Sequence, residues 1–228
     1  MQVNVLKSKV RSNLASGYRA ESIPAVIRRS HLMERGGFDV FEGLVDERMR
    51  REMLSEAVAL LPHATRSEVT VSDGEEQRGG KPRRRFINAQ GGPLQQAFNT
   101  SPEVLDFLRG LTNRALTFTG EIGTYSYYMD PGDYLDIHRD IVTCDVAVIT
   151  CLHDRAKDND DSGSLCLYPA RLGEPLWQIR ATPKRGAVKV RVQVGQTIIL
   201  YGGIVPHALL PVAAGQARIV SVLCYRAI

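Results

Sequence analysis

The chain has 228 residues, enough for one well-packed domain. Its 29 basic and 25 acidic residues are interspersed and leave a formal net charge of +4, so no concentrated basic stripe points to nucleic acid. No window approaches a membrane span and the first residues carry no apolar signal core, which leads us to expect a cytoplasmic protein with no membrane partner.

The first half of the chain reads as helical. Asp46 is a helix cap before ERMRREMLSEAVALL, whose apolar residues recur at helical spacing, and Pro62 is the stop. The polar, glycine-rich stretch from His63 to Pro93 reads as a strand or two joined by a mobile loop. A second helix opens at Ser101-Pro102-Glu103, with Ser as cap and Pro at the first position, and runs through VLDFLRGL. From about residue 121 the texture changes. Short strands are predicted at Glu121–Met129, Tyr134–Asp140, Asp145–Leu152, Ser164–Tyr168, Trp177–Ile179, Val188–Val192, Thr197–Tyr201 and Arg218–Tyr225, separated by Gly, Pro, Asn and Asp turns. Strands this short and this numerous fit a sandwich or jelly roll. One domain spans 1–228, with 1–120 as helical support and 121–228 as the β core. Cys144, Cys151, Cys166 and Cys224 form no C-x-x-C pair and sit in apolar runs, which predicts buried free thiols.

His138-Arg139-Asp140 lies near the end of a predicted strand. Residues two apart on a strand share a face, so an imidazole and a carboxylate project together while Arg139 points away. His207, which follows the apolar strand ending at Tyr201 and ends that segment near a Pro-flanked turn, is the best third ligand. Two histidines and one carboxylate leave three adjacent positions open on a metal, the arrangement of non-haem Fe(II) oxygenases. A lone H-x-D is a weak signal, common in strands by chance. His31, His63 and His153 sit in helical, loop or acidic context and read as surface or structural residues.

The segment Tyr128-Met-Asp-Pro-Gly132-Asp-Tyr-Leu-Asp-Ile-His138-Arg-Asp140 resembles the metal-site approach of prolyl-hydroxylase-like Fe(II)/2-oxoglutarate oxygenases. Gly163-Ser-Leu-Cys-Leu-Tyr168-Pro169 resembles another strand of that family. Gly195-Gln-Thr-Ile-Ile-Leu-Tyr201, Pro206-His207, Pro211-Val212, Gly215 and Arg218 resemble its closing stretch, and GFDVFEGLVDERMRREM its opening strand and helix. The resemblance implies a mainly β (α+β) double-stranded β-helix, a cupin-like jelly roll with N-terminal supporting helices. It also implies Fe(II), 2-oxoglutarate as cosubstrate and O2, with His138, Asp140 and His207 as catalytic metal ligands. Hydroxylation would release succinate and CO2.

By the same resemblance Arg218 would hold the distal carboxylate of 2-oxoglutarate, a role suited to a planar guanidinium. Many members carry a Ser or Thr two residues further on, where this chain has Val220. Tyr128 is the substitute by analogy, with Ser126 and Thr124 on its face, Tyr125 and Tyr127 packing on the other, and Thr150 as a further polar candidate. Asp136, two residues before His138, would face inward toward a substrate amine or simply hydrogen-bond a turn. The segment Gln77–Arg85 reads as a solvated charge run; as a lid it would bring Arg85 onto an anionic substrate. The expected substrate is a small molecule, an amino acid or natural-product intermediate. The alternatives are a prolyl or peptidyl hydroxylase and a non-catalytic jelly-roll binding module. A nucleic-acid demethylase fits poorly, because no second arginine closely follows Arg218.

Overall fold

The computed structural model describes residues 4–5, 23–73, 78–119, 123–155 and 161–228. Three predicted features therefore fall partly outside the described residues: the start of the strand at Glu121, the acidic turn 158–160, and Gln77 at the head of the expected lid.

The elements follow in chain order. They are β1 (Asn4–Val5), α1 (Ala25–Arg28), α2 (His31–Glu34), β2 (Phe38–Glu42), α3 (Glu47–Leu60), β3 (Thr65–Val69), β4 (Arg84–Gln90), α4 (Pro93–Asn99), α5 (Pro102–Thr112) and β5 (Leu116–Phe118). Then come β6 (Thr124–Tyr128), β7 (Tyr134–His138), β8 (Val146–Asp154), β9 (Leu165–Leu167), α6 (Leu176–Ala181), β10 (Val188–Val190), β11 (Thr197–Leu200), β12 (His207–Leu209) and β13 (Arg218–Ala227).

Both predicted helices form with their caps. Asp46 accepts from the Met49 amide at 2.7 Å, and Ser101 accepts from Val104. Helix α3 buries Met53 and Ala57 on the outer side of the sheet, where the phenols of Tyr125 and Tyr127 donate to Glu56 and to the Ala57 carbonyl. These two tyrosines are the packing residues that strand alternation predicts.

The strands form one curled antiparallel sheet in the order β1-β2-β11-β8-β13-β6-β4-β7-β12-β9-β10, with β3 on β4 and β5 on β13. Its two arms face each other as a double-stranded β-helix. Leu165, Leu209 and His138 of one arm and Phe86, Tyr128, Ile149 and Val220 of the other line a shared cavity. The main core lies between the long arm and the helices. A smaller cluster, with Ile137, Cys166, Leu176 and Ile179, packs α6 behind the short arm.

Four findings differ from the sequence reading. The change of texture at residue 121 is not a boundary in the sheet, because β2 pairs with β11 and β4 lies between β6 and β7. Trp177–Ile179 lies in helix α6 rather than a strand: Pro175 opens the turn, and Leu176 and Ile179, three apart, bury one helical face. His207 begins β12, paired with both β7 and β9, rather than ending at a turn. Cys144 and Cys224 form a disulfide, while Cys151 and Cys166 are buried free thiols as predicted.

Candidate active site

His138 and His207 face each other across the β7–β12 pair, in direct register, with ring centroids 4.2 Å apart. Each ring is pinned by the backbone two residues before it. His138 Nδ1 donates to the Asp136 carbonyl at 2.8 Å, and His207 Nδ1 donates to the Val205 carbonyl at 2.9 Å. A carbonyl only accepts, so each Nδ1 carries the proton and each Nε2 keeps its lone pair for a ligand. Both Nε2 atoms point at Asp140 Oδ1, at 3.5 and 3.6 Å. The three donors lie within 4.8 Å of one another, near enough for one ion to span them.

Asp140 is held where the carboxylate must sit. Its amide donates to the Gly202 carbonyl at 2.9 Å, and a Cβ on Gly202 would lie 1.7 Å from Asp140 Oδ2. Only glycine leaves room for that carboxylate. Burial would favour its neutral acid, but the two imidazoles outweigh burial and hold its pKa well below the usual carboxylate range. Burial, reinforced by the neighbouring imidazole, lowers the pKa of His138. For His207 burial pulls the same way, yet the Asp140 carboxylate prevails and raises it. An anion between two neutral-capable imidazoles is the donor set of a divalent cation site with open positions.

Further along the same cavity, Arg218 is 1% exposed. It donates to the Asp154 carboxylate and, at 3.1 Å, to the Val192 carbonyl. Asp154 is shared with Arg191, which reaches it at 2.7 Å. Among the described residues Arg218 Nε is buried with no hydrogen-bond partner, a costly state for a guanidinium donor. Tyr128 is its register partner on β6 and lines the cavity beside it. Burial pushes the Tyr128 phenol above its ordinary range, so it remains a neutral donor. Thr124 and Ser126 share this wall, as alternation predicts.

Three other predicted residues lie elsewhere. Thr150 faces the opposite side of β8, where its hydroxyl meets Thr197 at 2.8 Å; the cavity side of that strand is Ala147 and Ile149. Asp136 is turned outward by a β-bulge. His207 pairs with His138 but Leu209 pairs with Leu135, so three steps on β7 match two on β12 and the alternation changes parity. Leu135 and His138 both line the cavity, while the Asp136 carboxylate binds Arg83 and Arg180. Arg85 points away from the cavity to Asp133, whereas its neighbour Arg84 lines it.

Sequence reasoning missed Asp154 and Gly202. A bulge on β8, between the pairs Ile219–His153 and Val220–Cys151, delivers Asp154 to Arg218, and no local pattern marks it. Gly202 stands in the Gly202-Gly203 pair, which sequence alone reads as a turn. Among the remaining histidines, His31 is exposed and bonded to Glu34, and His63 and His153 lie outside the cavity.

No protein-family model and no curated protein matches the chain. Solved structures do. The 2-oxoglutarate-dependent (alpha-ketoglutarate-dependent) non-haem epimerase SnoN from nogalamycin biosynthesis superposes with a TM-score of 0.65 at 16% identity, covering 89% of this chain and 81% of SnoN. A Pseudomonas putida prolyl-4-hydroxylase gives 0.57 at 15% identity, over 83% of this chain and 92% of that enzyme. The chain has their fold. HygX from Streptomyces hygroscopicus, solved with nickel, 2-oxoglutarate and hygromycin B bound, is similar at TM-score 0.54 and 16% identity, over 83% and 82% of the two chains. Among the described residues no helix is long and apolar enough to cross a membrane.

Proposed function

We propose that this protein is an Fe(II)- and 2-oxoglutarate-dependent oxygenase that hydroxylates a small molecule. The observation that carries the reading is the convergence of His138 Nε2, Asp140 Oδ1 and His207 Nε2 on one point of the cavity wall. These three residues would hold the iron. Bound there, iron with 2-oxoglutarate and O2 supplies the oxidation, in which the substrate C–H becomes C–OH and 2-oxoglutarate becomes succinate and CO2.

The protein's own contribution is position, charge and dryness. The two Nδ1–H bonds to backbone carbonyls fix ring orientation and tautomer before any ligand arrives. Asp140 brings the single negative charge among the three donors. The unpartnered Arg218 Nε–H is a donor available to the distal carboxylate of 2-oxoglutarate, with Tyr128 beside it as a neutral second donor. Leu165, Leu209, Ile149 and Val220 give the cavity an apolar wall that would limit water around the reacting atoms. A cavity of about 340 Å³ suits a small substrate together with the cosubstrate.

The test is succinate formation by the purified chain with Fe(II), 2-oxoglutarate and O2, with and without candidate substrates. Slow uncoupled succinate release that is lost in Asp140→Ala supports the reading. If calorimetry under saturating metal finds no 2-oxoglutarate binding to the wild-type chain, the oxygenase reading fails and a binding module becomes the better description.

A further inference from the structure

Beside the three donors the cavity is lined by strands β3, β4 and β7, where the apolar Pro82, Phe86, Leu135 and Ile141 surround Ser67, Asn88 and the charged Arg84. Three arginines in succession lead into β4, and alternation sorts them. Arg83 and Arg85 lie outside the cavity lining, and each meets a carboxylate, Asp136 at 2.8 Å and Asp133 at 3.1 Å. Arg84 lies on the cavity side, half-buried. Its Nε donates to Ser67 Oγ at 2.7 Å, which fixes the plane of the guanidinium, and among the described residues its two terminal nitrogens make no hydrogen bond. Among the described residues no carboxylate pairs with it. Of the cavity's other arginines, Arg139 holds the carbonyls of Leu172, Glu174 and Ile204, and Arg218 holds Asp154 and keeps only its Nε–H, the donor proposed above for 2-oxoglutarate. Among the described residues the one acid in the lining is Asp140, already assigned above to the metal.

We infer that Arg84, oriented by Ser67, is the substrate anchor, and that the substrate is a largely apolar molecule carrying one carboxylate. A half-buried guanidinium with a free edge is completed by the two oxygens of a carboxylate, which accept parallel charge-assisted hydrogen bonds. One cation balances one charge. A phosphate dianion would bring a second charge that Arg84 does not balance, beside the apolar Pro82, Phe86, Leu135 and Ile141. Arg84 lies on β4 and Arg218 on β13, with β6 between them, so the substrate and 2-oxoglutarate carboxylates are assigned to separate cations.

The inference deepens the oxygenase reading, and the two are separable by experiment. The full chain is loaded with Fe(II) and 2-oxoglutarate without O2, so that Arg218 is occupied, and titrated calorimetrically with 3-phenylpropionate and with its uncharged amide. The acid is expected to bind at least tenfold more tightly than the amide. Arg84→Gln weakens the acid by roughly ten- to a hundredfold and leaves the amide unmoved, while Arg84→Lys restores part of the difference. Equal affinity for acid and amide, no binding of the acid to wild type, or an acid affinity untouched by Arg84→Gln each overturns the assignment. The acid–amide comparison is made on the wild-type chain and decides even if the variants fold poorly. If 2-oxoglutarate itself does not bind wild type, the oxygenase reading falls, and the Arg84 titrations still decide the anchor.

Discussion

The two ends of the cavity are built differently. At the metal end each histidine is held by a carbonyl two residues earlier in its own chain segment, and Asp140 by the glycine turn that approaches it. At the Arg218 end the partners come from afar: Asp154 is 64 residues away and Val192 is 26. Local backbone sets the two ring orientations, while the meeting of the three donors rests on the β7–β12 pairing and on Gly202, 62 residues from Asp140. A site held by distant side chains depends on register, and here on a bulge in β8. Replacing one of the three donor side chains should therefore act first on metal affinity, whereas disturbing the Arg218 end should move cosubstrate affinity and stability together.

The largest effect is expected from His207→Ala. It removes one of three donors and should lower metal affinity by more than roughly a hundredfold. Elemental analysis after dialysis checks this, and full metal retention would contradict the triad. Gly202→Ala sharpens the same point without touching a ligand. Its methyl must displace the Asp140 carboxylate, so metal affinity should fall by about ten- to a hundredfold while His138 and His207 stay in place. At the other end, Arg218→Lys keeps the charge beside Asp154 but loses the planar fork and the Nε donor. About a tenfold weaker 2-oxoglutarate affinity is expected, with metal retention within twofold. An unchanged cosubstrate affinity would move that role to another base. The smallest effect belongs to Thr150→Val. Losing the bond to Thr197 should cost about 1 kcal/mol in denaturant unfolding and leave 2-oxoglutarate affinity as it was, because Thr150 faces away from the cavity. A cosubstrate defect in Thr150→Val would mean that β8 presents its other face.

The same difference explains what the sequence made legible. His138 and Asp140 lie two apart at a strand end, a local pattern, and His207 follows an apolar strand; the structure brings all three together. Tyr128, with Ser126 and Thr124, was readable because β6 alternates without interruption. Asp136 was not, since simple alternation carries it inward and the β7 bulge reverses its side. Arg85 and Arg84 differ by one residue, and only the register of β4 decides which of them faces the cavity. Asp154 needed the second bulge. The helix at Leu176–Ala181 was hidden because three residues of a W-Q-I run satisfy either period, and only Leu176 and Ile179 packing behind β7 settles it.

The Cys144–Cys224 bridge bears on the chain when it is not folded. Closing a ring across a separation of 80 residues removes conformations from the unfolded ensemble, which by loop-closure entropy amounts to about 4.5 kcal/mol. Asp154, His207 and Arg218 lie inside that ring; His138 and Asp140 lie just before its first cysteine. The tether ties the segment that follows Asp140 to the strand that begins at Arg218. The two ends of the cavity, so differently held in the folded protein, thus stay within a short length of chain of each other even when every other contact is gone.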